Sequence, residues 1–193
     1  MFADYHVHTE FSDDSIYPME DVIRDAVRMN MDEICITDHV DYGVKDDWDS
    51  GSEIIWRNGE PLANVDYPAY MDKIKLLKRQ YEGKIRIKTG MEFGVQTHTI
   101  PQFEALFRRY PFDFIILSVH QVENKEFWTQ DFQKGRTQKE YNELGGEIVT
   151  IGSDSHKPDQ LGYGIAEAQK LLKEIGFQKI CTFEKMNPVM HEL

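Results

Sequence analysis

The chain has 193 residues, enough for one domain with a substantial core and short for two. Hydrophobic residues make up 40% and charged residues 29%, the balance of a globular protein, and no apolar run of about 18 residues exists to span a membrane. The formal net charge of −12, with no Lys/Arg block to offset it, disfavours a nucleic-acid partner.

The start, Met1-Phe2-Ala3-Asp4, carries neither a basic segment nor an apolar signal core, so a cytoplasmic protein is expected. Phe2 to Val7 alternates apolar and polar residues and predicts a strand. Positions i and i+2 of a strand share a face, so His6 and His8 project together. An acidic loop with Ser12, Asp13 and Asp14 follows. Met19 to Met29 predicts a helix after Pro18, with Val22, Ile23, Ala26, Val27 and Met29 as its apolar stripe. Glu33 to Thr37 predicts a strand ending in Asp38-His39, and strand, helix and strand together make a βαβ unit with parallel strands. Cys35 and Cys181 each lie in an apolar run and read as buried free thiols of a reducing compartment.

Asp41 to Pro68 shows no periodicity, holds Trp48 and Trp56, and reads as a functional loop or lid. Tyr70 to Tyr81 predicts a helix closed by Gly83, with Met71, Ile74 and Leu77 inward. Ile85 to Glu92 predicts a third strand. Pro101 to Tyr110 predicts a helix capped by Thr99. Phe112 to Val119 predicts a fourth strand ending in His120. Gln121 to Glu140 is polar, and Leu144-Gly145-Gly146 reads as a turn. Glu147 to Ser153 predicts a fifth strand ending in Asp154-Ser155-His156. A helix over Ile165 to Ile175 and a last strand over Lys179 to Phe183 complete the pattern.

Five successive strands thus end in potential metal ligands: His6 and His8, then His39, Glu92, His120, and finally Asp154 and His156. Imidazole and carboxylate are ligands for zinc, manganese or iron, and parallel α/β folds gather their chemistry at the carboxyl ends of strands. Such a centre would give an acidic protein the local positive charge that a phosphorylated small molecule requires.

The ordered motifs Asp4-Tyr5-His6-Val7-His8-Thr9, Ile36-Thr37-Asp38-His39, Gly90-Met91-Glu92-Phe93-Gly94, Ser118-Val119-His120-Gln121 and Gly152-Ser153-Asp154-Ser155-His156 resemble the PHP superfamily, polymerase and histidinol phosphatase. Within it, Cys181-Thr182-Phe183-Glu184-Lys185 also resembles the monofunctional histidinol-phosphatase branch. The resemblance runs nearly end to end and implies one PHP domain over 1–193, folded as a TIM-like parallel β/α barrel. It implies up to three divalent metal ions. His6, His8, Glu92 and Asp154 would hold one, Glu92 and His120 a second, and His39 and His156 a third, together with Asp14 or, less in keeping with position, Asp13. Asp38 and Ser155 would support this set. The implied reaction is hydrolysis of a phosphate monoester, L-histidinol phosphate to L-histidinol in histidine biosynthesis, with Glu92, Asp154 and His156 as catalytic residues. Another small phosphate or a nucleotide is the alternative substrate.

The sequence departs from the family near Asn142. Two βα units, on the order of 60 residues, are missing there. A Gly-His-x-Asp motif, whose histidine completes the second metal's shell in the family, is missing with them. The barrel is therefore expected to be incomplete, the second metal weakly held, and activity impaired. The open sheet edges are expected to favour a homo-oligomer. His98 reads as a rim residue, and His191, near the C-terminus, as no ligand.

Overall fold

The computed structural model describes residues 1–48, 50–51, 53–57, 60–122, 124–126, 149–174 and 176–193. Its centre is a parallel sheet. Strand β1 (Ala3–Asp4) pairs with β2 (Glu33–Ile36), and β2 pairs with the long strand β6 (Arg86–Gly94). Strand β3 (His39–Val40) continues along the same side of β6 beyond β2, with His39 opposite Glu92. On the other side of β6 lies β7 (Phe114–Ser118). Beyond β1, residues 149–155 run alongside the chain: Tyr5 N donates to Ile151 O, Ser155 N to His6 O, and His8 N to Ser155 O. Cys181 N, in β10 (Lys179–Glu184), donates to Val149 O. The result is a parallel half-barrel, the incomplete barrel expected from the missing units.

Alternation on the strands separates two cores. Ile34 and Ile36 of β2 and Ile87, Met91 and Phe93 of β6 face the helices α1 (Met19–Arg28), α2 (Tyr67–Gln80) and α3 (Ile100–Arg109). Cys35 faces the opposite way, into a smaller cluster with Tyr5 and Phe114, against which Phe183 packs. Gly90 lets β6 approach β2 closely, since a Cβ there would meet Cys35 Sγ and Ile36 O. The Tyr70 hydroxyl, fully buried on α2, lies 3.0 Å from Ile36 O and 2.9 Å from Gly90 O and ties the helix to both strands.

Several expectations change. The regular first strand stops at Asp4, whose carboxylate accepts from His6 N two residues on, and beyond it the pairing continues only as the bridge between Val7 and Ser155. Tyr5 and Val7 then fall into different cores. The predicted fifth strand is no regular strand over 149–153, where Val149 and Ile151 accept single backbone hydrogen bonds and the one isolated bridge, to Val7, comes later at Ser155; 147 and 148 lie outside the described residues, as do the turn over 144–146 and most of 121–140. Met29 is 39% exposed and sits beyond α1, off its buried stripe. Helix α2 starts at Tyr67, with Asp66 accepting from Ala69 N and Pro68 in the first turn. Thr99 occupies the cap position of α3 but turns its hydroxyl back to Gln96 O instead of capping. The unpatterned loop contains a hairpin, β4 (Ile55–Arg57) with β5 (Glu60–Leu62). The C-terminus forms β11 (Asn187–Glu192), antiparallel to β10, and His191 Nε2 lies 2.8 Å from Thr182 Oγ1.

Short strands β8 (Gln121–Val122) and β9 (Lys125–Glu126) pair beyond β7, and α4 is Ile165–Glu174. Among the described residues, β7 has no strand on its outer side, Leu117 and Val119 are exposed, and an apolar groove of about 930 Å³ lies beside them, lined by Phe103, Phe107 and Ile115. No helix among the described residues is long and apolar enough to cross a membrane. Both cysteines are free and buried.

Tyr70→Phe should lower stability by about 1–2 kcal/mol, because two buried carbonyls lose their shared donor. Urea unfolding checks this; an unchanged midpoint would mean that the hydroxyl does not tie α2 to the sheet.

Candidate metal centre

The parallel sheet delivers every expected site residue to one end. Glu92 is 3% exposed and sits at their centre. Its Oε2 lies 3.0 Å from His6 Nε2, 3.4 Å from His8 Nε2 and 3.2 Å from His39 Nδ1. Its Oε1 lies 3.1 Å from His120 Nε2 and accepts from Ser118 Oγ at 2.6 Å. The two oxygens of one carboxylate therefore face different sets of imidazoles.

Asp154 closes a ring with the first set, its Oδ1 lying 3.3 Å from His6 Nε2 and 3.2 Å from His8 Nε2. A third group forms around Asp14, whose Oδ2 lies 3.3 Å from His39 Nε2 and 3.1 Å from His156 Nε2. Bonds of about 2.0–2.2 Å to a shared cation place neighbouring donor atoms at such separations. Among the described residues, three sets have donor atoms within 4.8 Å of one another: His8, Asp14, His39 and His156; His6, His8 and Asp154; and His39, Asp41 and His120.

Two atoms test whether the cluster suits a cation. His8 Nε2 and His39 Nδ1 are buried and make no hydrogen bond, although carboxylate oxygens lie within 3.4 Å of both. Both nitrogens lie beside carboxylate oxygens without the alignment that a hydrogen bond needs. Buried polar atoms are seldom left unpaired, so this donor set fits divalent cations.

Electrostatics points the same way. Burial and the neighbouring imidazoles His39, His156 and His6 push His8 down to about 4, against the pull of Asp154, so it is neutral and ready to ligate near pH 7. Burial would raise Glu92, but His120 and His6 hold it below the usual carboxylate range. Asp14 is lowered in the same way, its burial outweighed by His156 and His39. Asp154 is lowered chiefly by His8. His120 rises to about 10, because Asp41 and Glu92 outweigh its burial, and His156 rises to about 9 beside Asp14. Protons on these two rings balance the carboxylates in the metal-free chain.

Supporting residues fix the loops. Asp38, fully buried, accepts from Thr9 N, Thr9 Oγ1 and Ser12 Oγ at 2.6–2.9 Å, and burial pushes it up to about 6. Ser12 Oγ in turn accepts from His39 N and lies 3.4 Å from His8 Nδ1. The buried Asp4 carboxylate accepts from Ser153 N, Ser153 Oγ and Gly162 N and fastens the Asp154 segment to the first strand. Ser155 acts through its backbone, bonded to His6 and His8. Asp154 has φ +54°, a left-handed conformation that Asp tolerates better than most residues.

Of the two acidic candidates, Asp14 reaches the cluster, while Asp13 Oδ1 is bound by Lys45 Nζ at 2.6 Å. His98 lies outside, its Nε2 3.0 Å from Asn124 Oδ1. Glu10 accepts from Met19 N at the start of α1 and takes no part. The sequence reading missed Asp41, whose Oδ1 lies 2.8 Å from His120 Nδ1. Asp41 opens a loop without periodicity, and only its contacts with His120 and Lys45 in the fold reveal it.

In chelator-treated protein, unfolding free energy should fall by roughly 2 kcal/mol per pH unit between pH 7 and 9, about 1.4 for each retained proton. The folded state keeps protons on His120 and His156 that unfolded histidines have already released. This stabilisation is complete below pH 6.5, the ordinary histidine value, and is lost as pH rises through the folded values of about 9 and 10. Urea unfolding at several pH values measures the slope, and His120→Gln should flatten it.

A family model described as PHP domain matches residues 4–181. The histidinol-phosphatase of Lactococcus lactis subsp. lactis (strain IL1403) is 29% identical over 268 positions, covering 95% of this chain and 94% of that protein. The probable histidinol-phosphatase of Thermotoga maritima is 26% identical over 224 positions, covering 93% of this chain and 94% of that protein. Both alignments are longer than the 193 residues here, so each relative carries internal sequence that this chain lacks. Among solved structures, the histidinol phosphate phosphatase of Lactococcus lactis, complexed with zinc, L-histidinol and phosphate, superposes with a TM-score of 0.77 at 21% identity. It covers 97% of this chain and 98% of that one, a likeness of fold.

Proposed function

The chain belongs to the PHP domain family, and from that premise we propose that it is a metal-dependent phosphomonoester hydrolase acting on L-histidinol phosphate. The observation that carries this reading is Glu92, with Oε2 toward His6, His8 and His39 and Oε1 toward His120. A carboxylate placed this way can bridge two cations. His6, His8, Glu92 and Asp154 would hold one ion, Glu92 and His120 a second, and Asp14, His39 and His156 a third. Zinc is the cation of the Lactococcus structure; manganese and iron suit the same donors.

When bound, divalent cations supply positive charge to the phosphoryl oxygens and activate water as the nucleophile. The chain's own groups set the conditions for this. Three carboxylates, Asp14, Glu92 and Asp154, leave a set of divalent ions with net positive charge, and neutral imidazoles complete the coordination without removing it. Asp154 and Asp14 are the most solvent-facing members, with side chains 62% and 50% exposed, and they mark where substrate would enter beside His156. No cysteine serves as nucleophile, since Cys35 and Cys181 are both buried and burial raises both thiols. Buried free thiols also suit a reducing cytoplasm.

The leaving group finds a neighbouring cavity of about 230 Å³, lined by Phe11, Ser12, Asp13, Trp48 and Asp66. Acidic and aromatic walls suit an amino alcohol that carries an imidazole ring. The loop expected to act as a lid contributes Trp48, while Trp56 is 63% exposed and lines no part of this cavity.

The missing internal sequence supports a second reading, a shortened chain that binds metal with impaired catalysis. Turnover of histidinol phosphate beside a panel of other phosphomonoesters and nucleotides, with metal content measured on the same sample, separates the readings. Preference for histidinol phosphate and loss on chelation are expected. Full metal content without turnover of any ester would favour the second reading.

Glu92→Gln should lower kcat/KM by roughly 10²-fold or more, since one bridging carboxylate serves two cations, while Glu10→Gln should be mild. Equal, mild losses would contradict the bridging role. Trp48→Ala should raise KM for histidinol phosphate more than it lowers kcat; unchanged kinetics would exclude the cavity as the leaving-group site.

A further inference from the structure

His120 is gripped at both ring nitrogens by carboxylates. Nε2 lies 3.1 Å from Glu92 Oε1 and Nδ1 lies 2.8 Å from Asp41 Oδ1. A cation between Nδ1 and Asp41 would meet the Lys45 ammonium that already binds this carboxylate, so Nε2, facing Glu92, is the nitrogen presented to an ion.

Asp41 is itself immobilised. Its Oδ2 accepts from Lys45 Nζ at 2.9 Å, and the same ammonium binds Asp13 Oδ1 at 2.6 Å. Its backbone N–H donates to Asn64 Oδ1 at 2.8 Å. Asp41, Lys45 and Asn64 are 5%, 6% and 1% exposed. Gly94 makes room for the grip, since a Cβ there would run into Asp41 Oδ1 and His120 Nδ1. A buried ion pair contributes little net stability against its desolvation cost, so stability alone does not account for a charged chain leading from Lys45 to a strand-end histidine.

We propose that Asp41 is a positioning residue for the cation site between Glu92 and His120. Its Oδ1 accepts the hydrogen bond from Nδ1–H and leaves Nε2 to face Glu92. In a chain without the family's Gly-His-x-Asp histidine, this fixed orientation lets Glu92 and His120 hold their ion with water completing its shell. Lys45 locks Asp41 in place and, through Asp13, draws that carboxylate away from the ions. The proposal rests on the metal-centre reading above and not on any substrate.

Zinc binding to the chelator-treated full chain tests it, with affinity and stoichiometry measured for the protein as it stands, for Asp41→Asn, for His120→Gln and for the double variant. Asp41→Asn should weaken the His120-dependent zinc equivalent by about 10–100-fold, the usual effect of losing such a partner, and leave the other equivalents in place. In the His120→Gln background the same change should cost less than about threefold, because Asp41 acts through His120. Equal losses in both backgrounds, or none in the unaltered chain, would overturn the proposal. Should Asp41→Asn fail to fold, Gly94→Ala, which wedges a methyl group into the same contact, must produce the same His120-dependent loss. If the unaltered chain binds no zinc that depends on His120, the metal-centre reading itself fails, an outcome distinct from a zinc site indifferent to Asp41.

Discussion

A carboxylate buried among four imidazoles governs this structure. Glu92 lies near the end of the strand on which both flanking strands depend, and its oxygens divide His6, His8 and His39 from His120. Burying a carboxylate is costly unless a positive partner is at hand. In the metal-free chain, protonated imidazoles beside the carboxylates supply part of that charge, with His120 and His156 held well above the ordinary histidine range. Divalent cations meet the same requirement with greater charge, and the unpaired His8 Nε2 and His39 Nδ1 show that hydrogen bonding alone does not satisfy the cluster.

Much of the remaining polar interior holds these few rings in place. Asp4 fastens the Asp154 segment beside the first strand, Asp38 ties the loop at Thr9 and Ser12 to His39, and Asp41 grips His120. Each is a buried carboxylate one step behind a candidate ligand. The helices contribute indirectly. Tyr70 spans from α2 to the carbonyls of Ile36 and Gly90, just ahead of His39 and Glu92 in sequence. A shift of that helix would displace two strand ends together.

Most of the candidate ligands could be read from sequence because a parallel sheet delivers residues by strand order and their motifs follow predicted strands, whereas Asp14 lies on a loop and only the fold separates it from Asp13. The pairing of His6 with His8 survived for a reason other than the one expected. The regular strand ends at Asp4, and backbone bonds linking His6, Val7 and His8 to Thr37 and Ser155, not uninterrupted alternation, hold both rings at the cluster. Asp41 escaped notice because it lies at the head of a loop without periodicity, where only tertiary contacts with Lys45 and His120 give it meaning. The last predicted strand is present as β10 and Thr99 holds the cap position, but the turn of its hydroxyl to Gln96 and the pairing of β11 with β10 depend on partners that local pattern does not reveal.

The central claim is that Glu92 bridges two cations. A crystal structure of the zinc-loaded chain, with ions located by anomalous scattering at the zinc edge, tests it most directly. Two peaks roughly 3.5–4 Å apart, each about 2.0–2.2 Å from a different oxygen of Glu92, are the result this account predicts. A single ion bound through one Glu92 oxygen, or ions that leave Glu92 uncoordinated, would contradict it.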